Sequence, residues 1–483
     1  MPKEPKTYSF AGAVVALKKR LDQLPPKLAR DIRGEIHELP ICMLIESAAG
    51  DCFGLSVDTI PSWFRELPSP YRRLASRAWA THIIEDPNIV SSFPFTGFGG
   101  YTADLDSEGL MGSAYRNFNL ARLGHVRQLG WLTVPVFGNE QEHVIPMRFE
   151  HNRLSHVLDV AALANVFAHG LDLSDADTAT LVLAAATHDA RTPAGGDTTK
   201  MLDPAFFDED AHYSELLDRF DSTALFERFG INRETLTQTI LGKGLLGSLL
   251  DIADKIAYVS RDAFWYHQRL GRGFIESEEG DQIHSLLRTY PEDACATWQS
   301  LKIVDGQPVF DDPEPLARFL LLRALLFRAL YWHPAARFTE FIVSHVICRH
   351  LVATGKIRLA DLLEMRDEEL DRHVMPYRAL DFSSGFGTPH HEGFDDEASS
   401  ERRREELHAQ GERFVMIEKW PHRLKTGTHY LVKDGRRKPR PLASFAPDLV
   451  EPIEAVAQVV HPHRLYWVQE ETIPQRLKRI ILP

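Results

Sequence analysis

Cysteine is scarce in this chain, and its few copies are scattered. The four cysteines among 483 residues include no CxxC pair, which argues against a disulfide framework or a thiolate zinc site and indicates a reducing compartment. A long uncharged apolar run is also absent. The most apolar stretch, residues 317–332, is interrupted by Arg318, Arg323 and Arg328, as in a buried helix rather than a membrane span. The first residues carry no apolar segment of the signal-peptide type. We therefore expect a cytoplasmic protein without a membrane partner.

An excess of basic residues is lacking as well. Acidic residues outnumber basic ones, 68 to 55, and the net charge is −13. Because nucleic acids attract basic surfaces, this balance argues against a nucleic-acid partner. The content of 44% apolar and 25% charged residues excludes a wholly disordered or collagen-like chain. The length suits one large core with appendages.

Apolar residues recur at helical spacing from about residue 115 to residue 380, which predicts a mostly α fold. We divide the chain into an N-terminal accessory region of helices and loops (1–114), a helical core (115–380), a mobile linker or loop (381–412) and a small α/β appendage (413–483). The linker is predicted from its Gly, Ser, His and paired acidic residues. The appendage is predicted from short β-type runs on either side of a helical segment.

An adjacent His188-Asp189 pair follows a run that is apolar on all sides, Leu181–Ala186. Burying an ionisable pair there is costly unless something compensates. A divalent metal is the simplest compensation, because it binds a neutral imidazole and a carboxylate together. On the dipeptide alone, a pair that caps the end of a helix is the commoner explanation.

Two other segments favour the metal site. Arg153 and His156 are three residues apart, hence on one helical face. An imidazole there could ligate a metal beside a guanidinium that binds phosphate. Downstream, Asp254, Tyr258 and Asp262 recur every four residues and form one stripe on a helix. The alternative explanation for this stripe is a solvated polar face.

Together these segments resemble the HD-domain phosphohydrolases, whose metal is held by a His, an adjacent His-Asp pair and a later Asp. The closer resemblance is to the deoxynucleoside triphosphate triphosphohydrolases, the branch that includes the sterile-alpha-motif-and-HD enzyme and the bacterial dGTPases. Four stretches carry it: Arg127–Gly130 with Arg148–His156, Thr187–Asp189, Asp254–Asp262 (a DKxxYxxRD pattern), and Leu330–Pro334 with Ile357–Leu370. The fold implied is an HD-domain helical core.

The resemblance also implies roles for individual residues. A divalent transition metal (Fe, Mn or Zn) would be held by His156, His188, Asp189 and Asp254. The deoxyribose would be bound at its 3'-hydroxyl by Gln128 and Asp262 and packed at its 2' edge by Leu129 and Tyr258. The phosphates would be bound by Arg153, Lys255 and an arginine of the 327–337 segment, either Arg328 or Arg337.

One part of the family pattern is missing. The family continues its motif as HDxGHxPFxH, and here Thr192 and Asp197 replace the two later histidines. Those histidines act near the leaving group or a second metal, so the proton donor is open between Asp197 and His212. A histidine has a suitable pKa near neutral pH without tuning, whereas an aspartate needs a raised pKa. Arg153 completes the set of catalytic candidates.

The function that this resemblance predicts is metal-dependent hydrolysis of deoxynucleoside triphosphates to deoxynucleoside and triphosphate. Mg²⁺ would accompany the nucleotide, and the enzyme would be a homo-oligomer, a tetramer or hexamer. Two alternatives stay open. One is an HD-type nucleotidase that acts on monophosphates or guanosine alarmones. The other is a catalytically impaired sensor that binds dNTP and lost turnover together with the histidine replaced by Thr192.

Overall fold

The computed structural model describes residues 26–27, 110–131, 134–138, 141–145, 152–220, 222–270, 282–283, 285–286, 297, 300–377, 390–412, 415–419, 424–435, 438–458, 461, 463–467 and 478–480. Most of the predicted accessory region (1–114) therefore lies outside the described residues, as does the first part of the Arg148–His156 motif.

Helices dominate the described chain. The α-helices are α1 (Leu110–Asn117), α2 (Arg153–Gly170), α3 (Asp175–Thr187), α4 (Gly196–Lys200), α5 (Tyr213–Arg219), α6 (Thr223–Phe229), α7 (Arg233–Ile240), α8 (Gly244–Leu270), α9 (Pro313–Leu326), α10 (Pro334–Phe341), α11 (Arg349–Ala353), α12 (Leu359–Leu362), α13 (Asp367–Val374), α14 (Glu397–Ala409), α15 (Leu442–Phe445) and α16 (Pro447–Gln458). Short 3₁₀ segments occur at Leu120–His125 and Met375–Tyr377, and π-helical segments at Phe327–Tyr331 and Ile342–Cys348.

The strands are short: β1 (Val134–Gly138), β2 (Gln141–Ile145), β3 (Leu301–Val304), β4 (Gln307–Phe310), β5 (His390–Phe394), β6 (Val415–Lys419), β7 (Leu431–Val432), β8 (Arg440–Pro441) and β9 (His463–Trp467). They form an antiparallel β1–β2 pair, a sheet of order β3-β4-β7-β8 and a sheet of order β5-β9-β6. The mostly α fold with a small α/β C-terminal region is confirmed.

The centre of the helical core is α3, which packs on α2, α7 and α8. It is buried continuously from Thr178 to Thr187, which explains why the run Leu181–Ala186 is apolar on every face. Its first turn is capped by Ser174, whose hydroxyl accepts a hydrogen bond from the Asp177 amide. Its last turn leads directly to His188, so the buried end of the helix fixes the position of the His-Asp pair.

The segment predicted as a mobile linker is folded over most of its length, which corrects the prediction for residues 381–412. Strand β5 pairs with the distant β9, in the register His390↔Trp467. Helix α14 begins at a cap in which Asp396 accepts from the Ser399 amide, and it packs on β6 and β9. The polar composition predicted a loop because the strand partner lies about seventy residues away and leaves no local signal.

The C-terminal sheet is attached to the helical core through an aromatic contact. Tyr466 of β9 packs on Phe338 of α10, with ring centroids 5.8 Å apart. Its hydroxyl donates to Glu418 of β6 at 2.7 Å. This contact places β6 against the site described below.

Two loops beside the site are held together by one buried carboxylate. Asp367 of α13 accepts a hydrogen bond from the Arg127 amide at 2.9 Å and another from the Gly195 amide at 2.7 Å. The two loops approach so closely that a Cβ at Gly130 would lie 2.3 Å from the Gly195 carbonyl, and Gly130 also has a φ of +57°. Glycine is required here for both reasons.

Among the described residues, no helix is both long and apolar enough to cross a membrane.

Candidate metal centre and cavity

Four side chains from three parts of the helical core converge. Nε2 of His156, in α2, lies 3.3 Å from Nε2 of His188 and 3.1 Å from Oδ1 of Asp254, in α8. Oδ2 of Asp189 lies 3.6 Å from the first nitrogen and 3.7 Å from the second. His156, His188 and Asp189 form a group able to hold a metal ion. Asp254 Oδ1, 3.7 Å from the His188 nitrogen, is placed to join them.

The hydrogen bond made by His188 determines its tautomer. Nδ1 lies 2.8 Å from the carbonyl oxygen of Ala185, so Nδ1–H donates and the lone pair of the neutral ring is on Nε2. That lone pair faces Nε2 of His156. At the metal–nitrogen distance of about 2.1 Å found for zinc, two ligands of a tetrahedral ion are about 3.4 Å apart. The observed nitrogen separation of 3.3 Å fits one ion between the two rings.

The carboxylates around His188 favour a positive charge at this position, which either a proton on the ring or a metal ion can supply. Burial alone would lower the pKa of this ring, but the carboxylates of Asp189 and Asp254 outweigh burial and raise the pKa. Burial would similarly raise the pKa of Asp189, but the Arg153 guanidinium and neighbouring cations hold it well below its usual value. Asp189 is therefore an anion in the fold, ready to bind a metal.

Arg153 is the guanidinium beside this centre. One terminal nitrogen lies 2.6 Å from Asp189 Oδ2, and the other lies 2.6 Å from Asp197 Oδ1. The side chain is buried. Two carboxylates therefore fix its orientation, and the carboxylate of Asp189 is oriented in return.

A cavity of about 840 Å³ opens beside the converging ligands. Four of the predicted sugar-binding residues line the same cavity: Gln128, Leu129, Tyr258 and Asp262. Asp262 accepts a hydrogen bond from the hydroxyl of Tyr331. Oε1 of Gln128, in a side chain that is 5% exposed, has no hydrogen-bond partner among the described residues. A buried acceptor in a cavity wall suits a ligand hydroxyl or amine.

Asp197 also lines the cavity. Three other predicted site residues are described but do not line it: Lys255, His212 and Arg328. Lys255 follows Asp254 on α8 and thus points about 100° away from the stripe; it pairs with Asp251 and lies over the Tyr430 ring. His212 is bonded to Glu215 Oε1 at 2.7 Å, on the outside of α5. Among the described residues, Lys255, predicted to bind phosphate, and His212, a candidate proton donor, therefore do not line the cavity, and both roles stay predictions.

The two arginines left open for the distal phosphates lie in different places. Arg337 lines the cavity and Arg328 does not. Arg337 is buried and donates to Glu418 at 2.6 and 2.8 Å and to Glu340 at 2.7 Å. Helical spacing could not separate the two arginines, because the π-helical turn at Phe327–Tyr331 shifts the faces of the helix.

Lys200 and Tyr331 line the cavity without having been predicted from the sequence. Tyr331 lies in the Leu330–Pro334 stretch, which was matched to the family but given no role. Lys200 lies three residues after Asp197, a spacing that places both on one face of α4. That spacing could have identified Lys200 as a site residue from the sequence.

The cavity wall carries more negative than positive charge. Its basic side chains are Arg153, Lys200, Arg337 and Arg349, and its acidic ones are Asp189, Asp197, Asp254, Asp262, Glu340 and Glu418. One divalent cation would balance this formal excess of two negative charges. This charge balance agrees with the metal-like convergence of His156, His188 and Asp189.

Glu340, in the cavity wall, makes the stability of the fold depend on pH. Its carboxylate accepts from Thr198 at 2.6 Å and from Arg337 at 2.7 Å. Burial nevertheless raises its pKa from 4.5 to about 7, with Asp197 and Glu418 adding to the rise and Arg337 opposing it. A raised folded pKa means that the folded state takes up a proton between these values, so ionisation of Glu340 destabilises the fold as pH increases through this window.

We therefore expect Glu340→Gln to gain stability relative to the wild type as the pH rises from about 5 to about 8. Urea unfolding of both proteins at pH 5, 6, 7 and 8 measures the difference. Parallel pH profiles of the two proteins would show that Glu340 does not titrate in this range.

Comparison with known proteins gives a distant likeness. No protein-family model matches the chain, and no curated protein matches it. Among solved structures, a phosphohydrolase from Bacteroides thetaiotaomicron superposes with a TM-score of 0.48 at 14% sequence identity, covering 75% of this chain and 96% of that chain.

Proposed function

We propose that this protein is a metal-dependent phosphohydrolase that converts deoxynucleoside triphosphates to deoxynucleoside and triphosphate. The observation that carries the proposal is that one cavity combines a convergent His156–His188–Asp189 group, a buried arginine and a polar and aromatic stripe. Its volume, about 840 Å³, lies within the range of small-molecule sites.

His156, His188, Asp189 and Asp254 would hold the divalent ion. Two imidazoles and two carboxylates suit Fe, Mn or Zn better than Mg alone. Such an ion supplies a Lewis acid for a phosphoryl oxygen and lowers the pKa of water. Arg153 lies beside it and is held by two carboxylates, so its guanidinium offsets phosphate charge without reorganising. Asp197 lies 2.6 Å from Arg153. Burial would raise the pKa of its carboxyl, but the charges of Arg153 and Lys200 outweigh burial and lower that pKa. Asp197 therefore suits an anion that holds Arg153 in place, not the proton donor proposed from the sequence.

The stripe beside the metal group supports selection of a deoxyribose. Asp262 and Gln128 offer a carboxylate and an amide to one sugar hydroxyl, and the Tyr331 hydroxyl holds the carboxylate in place. Leu129 and the ring of Tyr258 present apolar surface in the same cavity. A ribose 2'-hydroxyl packed on such surface would lose its hydrogen bonds to water, which disfavours ribonucleotides.

Charge balance supports a second cation with the substrate. With one divalent ion bound, the formal charge of the cavity wall is close to zero, whereas a nucleoside triphosphate carries about four negative charges near neutral pH. A Mg²⁺ bound to the triphosphate reduces this mismatch. The proposal therefore includes Mg²⁺ with the nucleotide. It also keeps two predictions made from the sequence, namely that the enzyme is a homo-oligomer and that it has no nucleic-acid partner.

The test is hydrolysis of each dNTP and each NTP by Mn²⁺-loaded protein, with and without added Mg²⁺, and chromatographic separation of the products. We expect triphosphate as the sole inorganic product, a preference of at least about tenfold for dNTPs, and faster turnover with Mg²⁺. Orthophosphate or pyrophosphate as product would contradict the proposal in favour of another phosphohydrolase. Thermal stabilisation by dNTP without any hydrolysis would favour the dNTP-binding sensor.

A further inference from the structure

A series of ion pairs leads from the His156–His188–Asp189 group to Lys200. Arg153 donates to Asp189 Oδ2 at 2.6 Å and forms an ion pair with Asp197 Oδ1 at 2.6 Å. Lys200 Nζ lies 3.4 Å from Asp197 Oδ1 and 2.6 Å from Glu209 Oε2. Lys200 also lines the cavity that is lined by His156, His188 and Asp189. The positive charges of Arg153 and Lys200 are thus held on either side of Asp197.

We infer that Lys200 contacts a non-bridging phosphate oxygen of the substrate, and that Glu209, itself bonded to Thr192, is the positioning residue for this ammonium. The inference rests on the proposed phosphohydrolase function and extends it to a residue outside the family motifs. No bond is made or broken by Lys200 itself.

The number of donors on the ammonium supports the contact. An ammonium group has three N–H donors. Within the part of the chain that the structure describes, Glu209 and Asp197 are its acceptors, which leaves one donor for a ligand in the cavity. A purely structural ion pair would be complete with Glu209 alone and would not require Lys200 to line the cavity.

The role is that of a fixed charge rather than a proton donor. Burial would lower the pKa of Lys200, but Glu209 and Asp197 outweigh burial and raise it above its ordinary value. An ammonium with a raised pKa keeps its proton at every physiological pH, so it can stabilise phosphate charge and is a poor acid.

Thr192 gains a role from the same contacts. Its side chain is fully buried, and its hydroxyl donates to Glu209 Oε1. Glu209 therefore has one carboxylate oxygen bonded to Thr192 and the other bonded to Lys200. Because two bonds fix the carboxylate, the ammonium is held at the cavity wall. Thr192 does not reach the substrate itself and acts by holding Glu209 in place.

The experiment compares the wild type with Lys200→Met, Lys200→Arg and Glu209→Gln, each loaded with Mn²⁺. The control is Lys356→Met, which removes an exposed ammonium that bonds only the Tyr377 hydroxyl among the described contacts and lies outside the cavity. Two quantities are measured: the Kd of inorganic tripolyphosphate by titration calorimetry, and kcat and KM with the best dNTP.

We expect Lys200→Met to weaken tripolyphosphate binding about tenfold or more and to lower kcat/KM about 100-fold. Lys200→Arg should recover part of both losses because it keeps the charge. Glu209→Gln should give a smaller loss, expressed mainly in KM, because the ammonium is retained but less well held. Lys356→Met should match the wild type.

Wild-type tripolyphosphate affinity in folded Lys200→Met would overturn the inference, even if activity fell, because the effect would then be structural. A wild type that binds tripolyphosphate through Lys200 but hydrolyses no nucleotide would instead overturn the proposed function alone. Equal kcat/KM of the wild type and Lys200→Met with dNTPs would overturn this inference alone.

Discussion

Asp189→Ala is expected to abolish metal binding and hydrolysis together. The substitution removes a carboxylate oxygen that lies 3.6 Å and 3.7 Å from the two imidazole nitrogens and 2.6 Å from Arg153. The remaining ligands would lose the anion that orients both the ion and the guanidinium. We expect kcat/KM to fall at least about 1,000-fold, equivalent to about 4 kcal/mol of transition-state stabilisation. Bound metal, measured by elemental analysis after gel filtration, should fall to near zero.

Two further variants separate the loss of the ligand from a loss of fold. Asp189→Asn keeps the volume and a hydrogen bond to Arg153 but removes the negative charge, so it should remain folded by circular dichroism and still lose metal and activity. Asp434→Ala removes an exposed carboxylate after β7, outside the cavity, and should match the wild type. Folded Asp189→Asn that retains stoichiometric metal and full turnover would refute the assignment of Asp189 as a ligand.

Local pattern was sufficient for the buried helix at the core and for the stripe on α8, whereas the set of four converging ligands came from the family resemblance. The all-apolar run before His188 predicted a buried helix, and burial from Thr178 to Thr187 agrees with it. The spacing of Asp254, Tyr258 and Asp262 predicted one face of a helix, and all three line the cavity. Both features are set by the 3.6-residue period and need no knowledge of distant contacts.

Local pattern was insufficient wherever a residue depends on a partner far along the chain. Glu418 reaches the cavity only because β6 pairs with β9 and β9 packs on α10. Arg328 and Arg337 could not be separated because a π-helical turn changes the phase of the helix between them. Thr192 was conspicuous as a replacement for a histidine, but its partner Glu209 lies in a loop without a motif.

Removing one partner of the buried ion pair between Asp159 and Arg261 is expected to destabilise the fold strongly. Asp159 lies one turn after His156 on α2, and Arg261 directly precedes Asp262 on α8. Both are buried, and Nε of Arg261 donates to Asp159 Oδ2 at 2.9 Å. The pair therefore joins the helix that carries His156 to the helix that carries Asp254. Arg261 of the DKxxYxxRD pattern has a structural role here rather than a contact with substrate.

Asp159→Ala should lower the free energy of unfolding by about 3–5 kcal/mol, because a buried guanidinium loses its carboxylate. Urea unfolding in the presence of a chelator measures this without the stabilisation that a bound metal adds. Asp218→Ala is the matched control: it removes an exposed carboxylate paired with Arg233, and such pairs contribute about 1 kcal/mol or less.

The double variant Asp159→Leu/Arg261→Met separates pairing from packing. Replacing both charges by apolar groups of similar size removes the desolvation cost together with the attraction, so most of the lost stability should return. Metal affinity should follow the same order, since α2 and α8 each contribute one of the proposed ligands. A double variant no more stable than Asp159→Ala would show that the loss is not the cost of an unpaired buried charge, contrary to this prediction. A cost of less than about 1 kcal/mol for Asp159→Ala would show that apolar contacts, and not this pair, hold the two helices together.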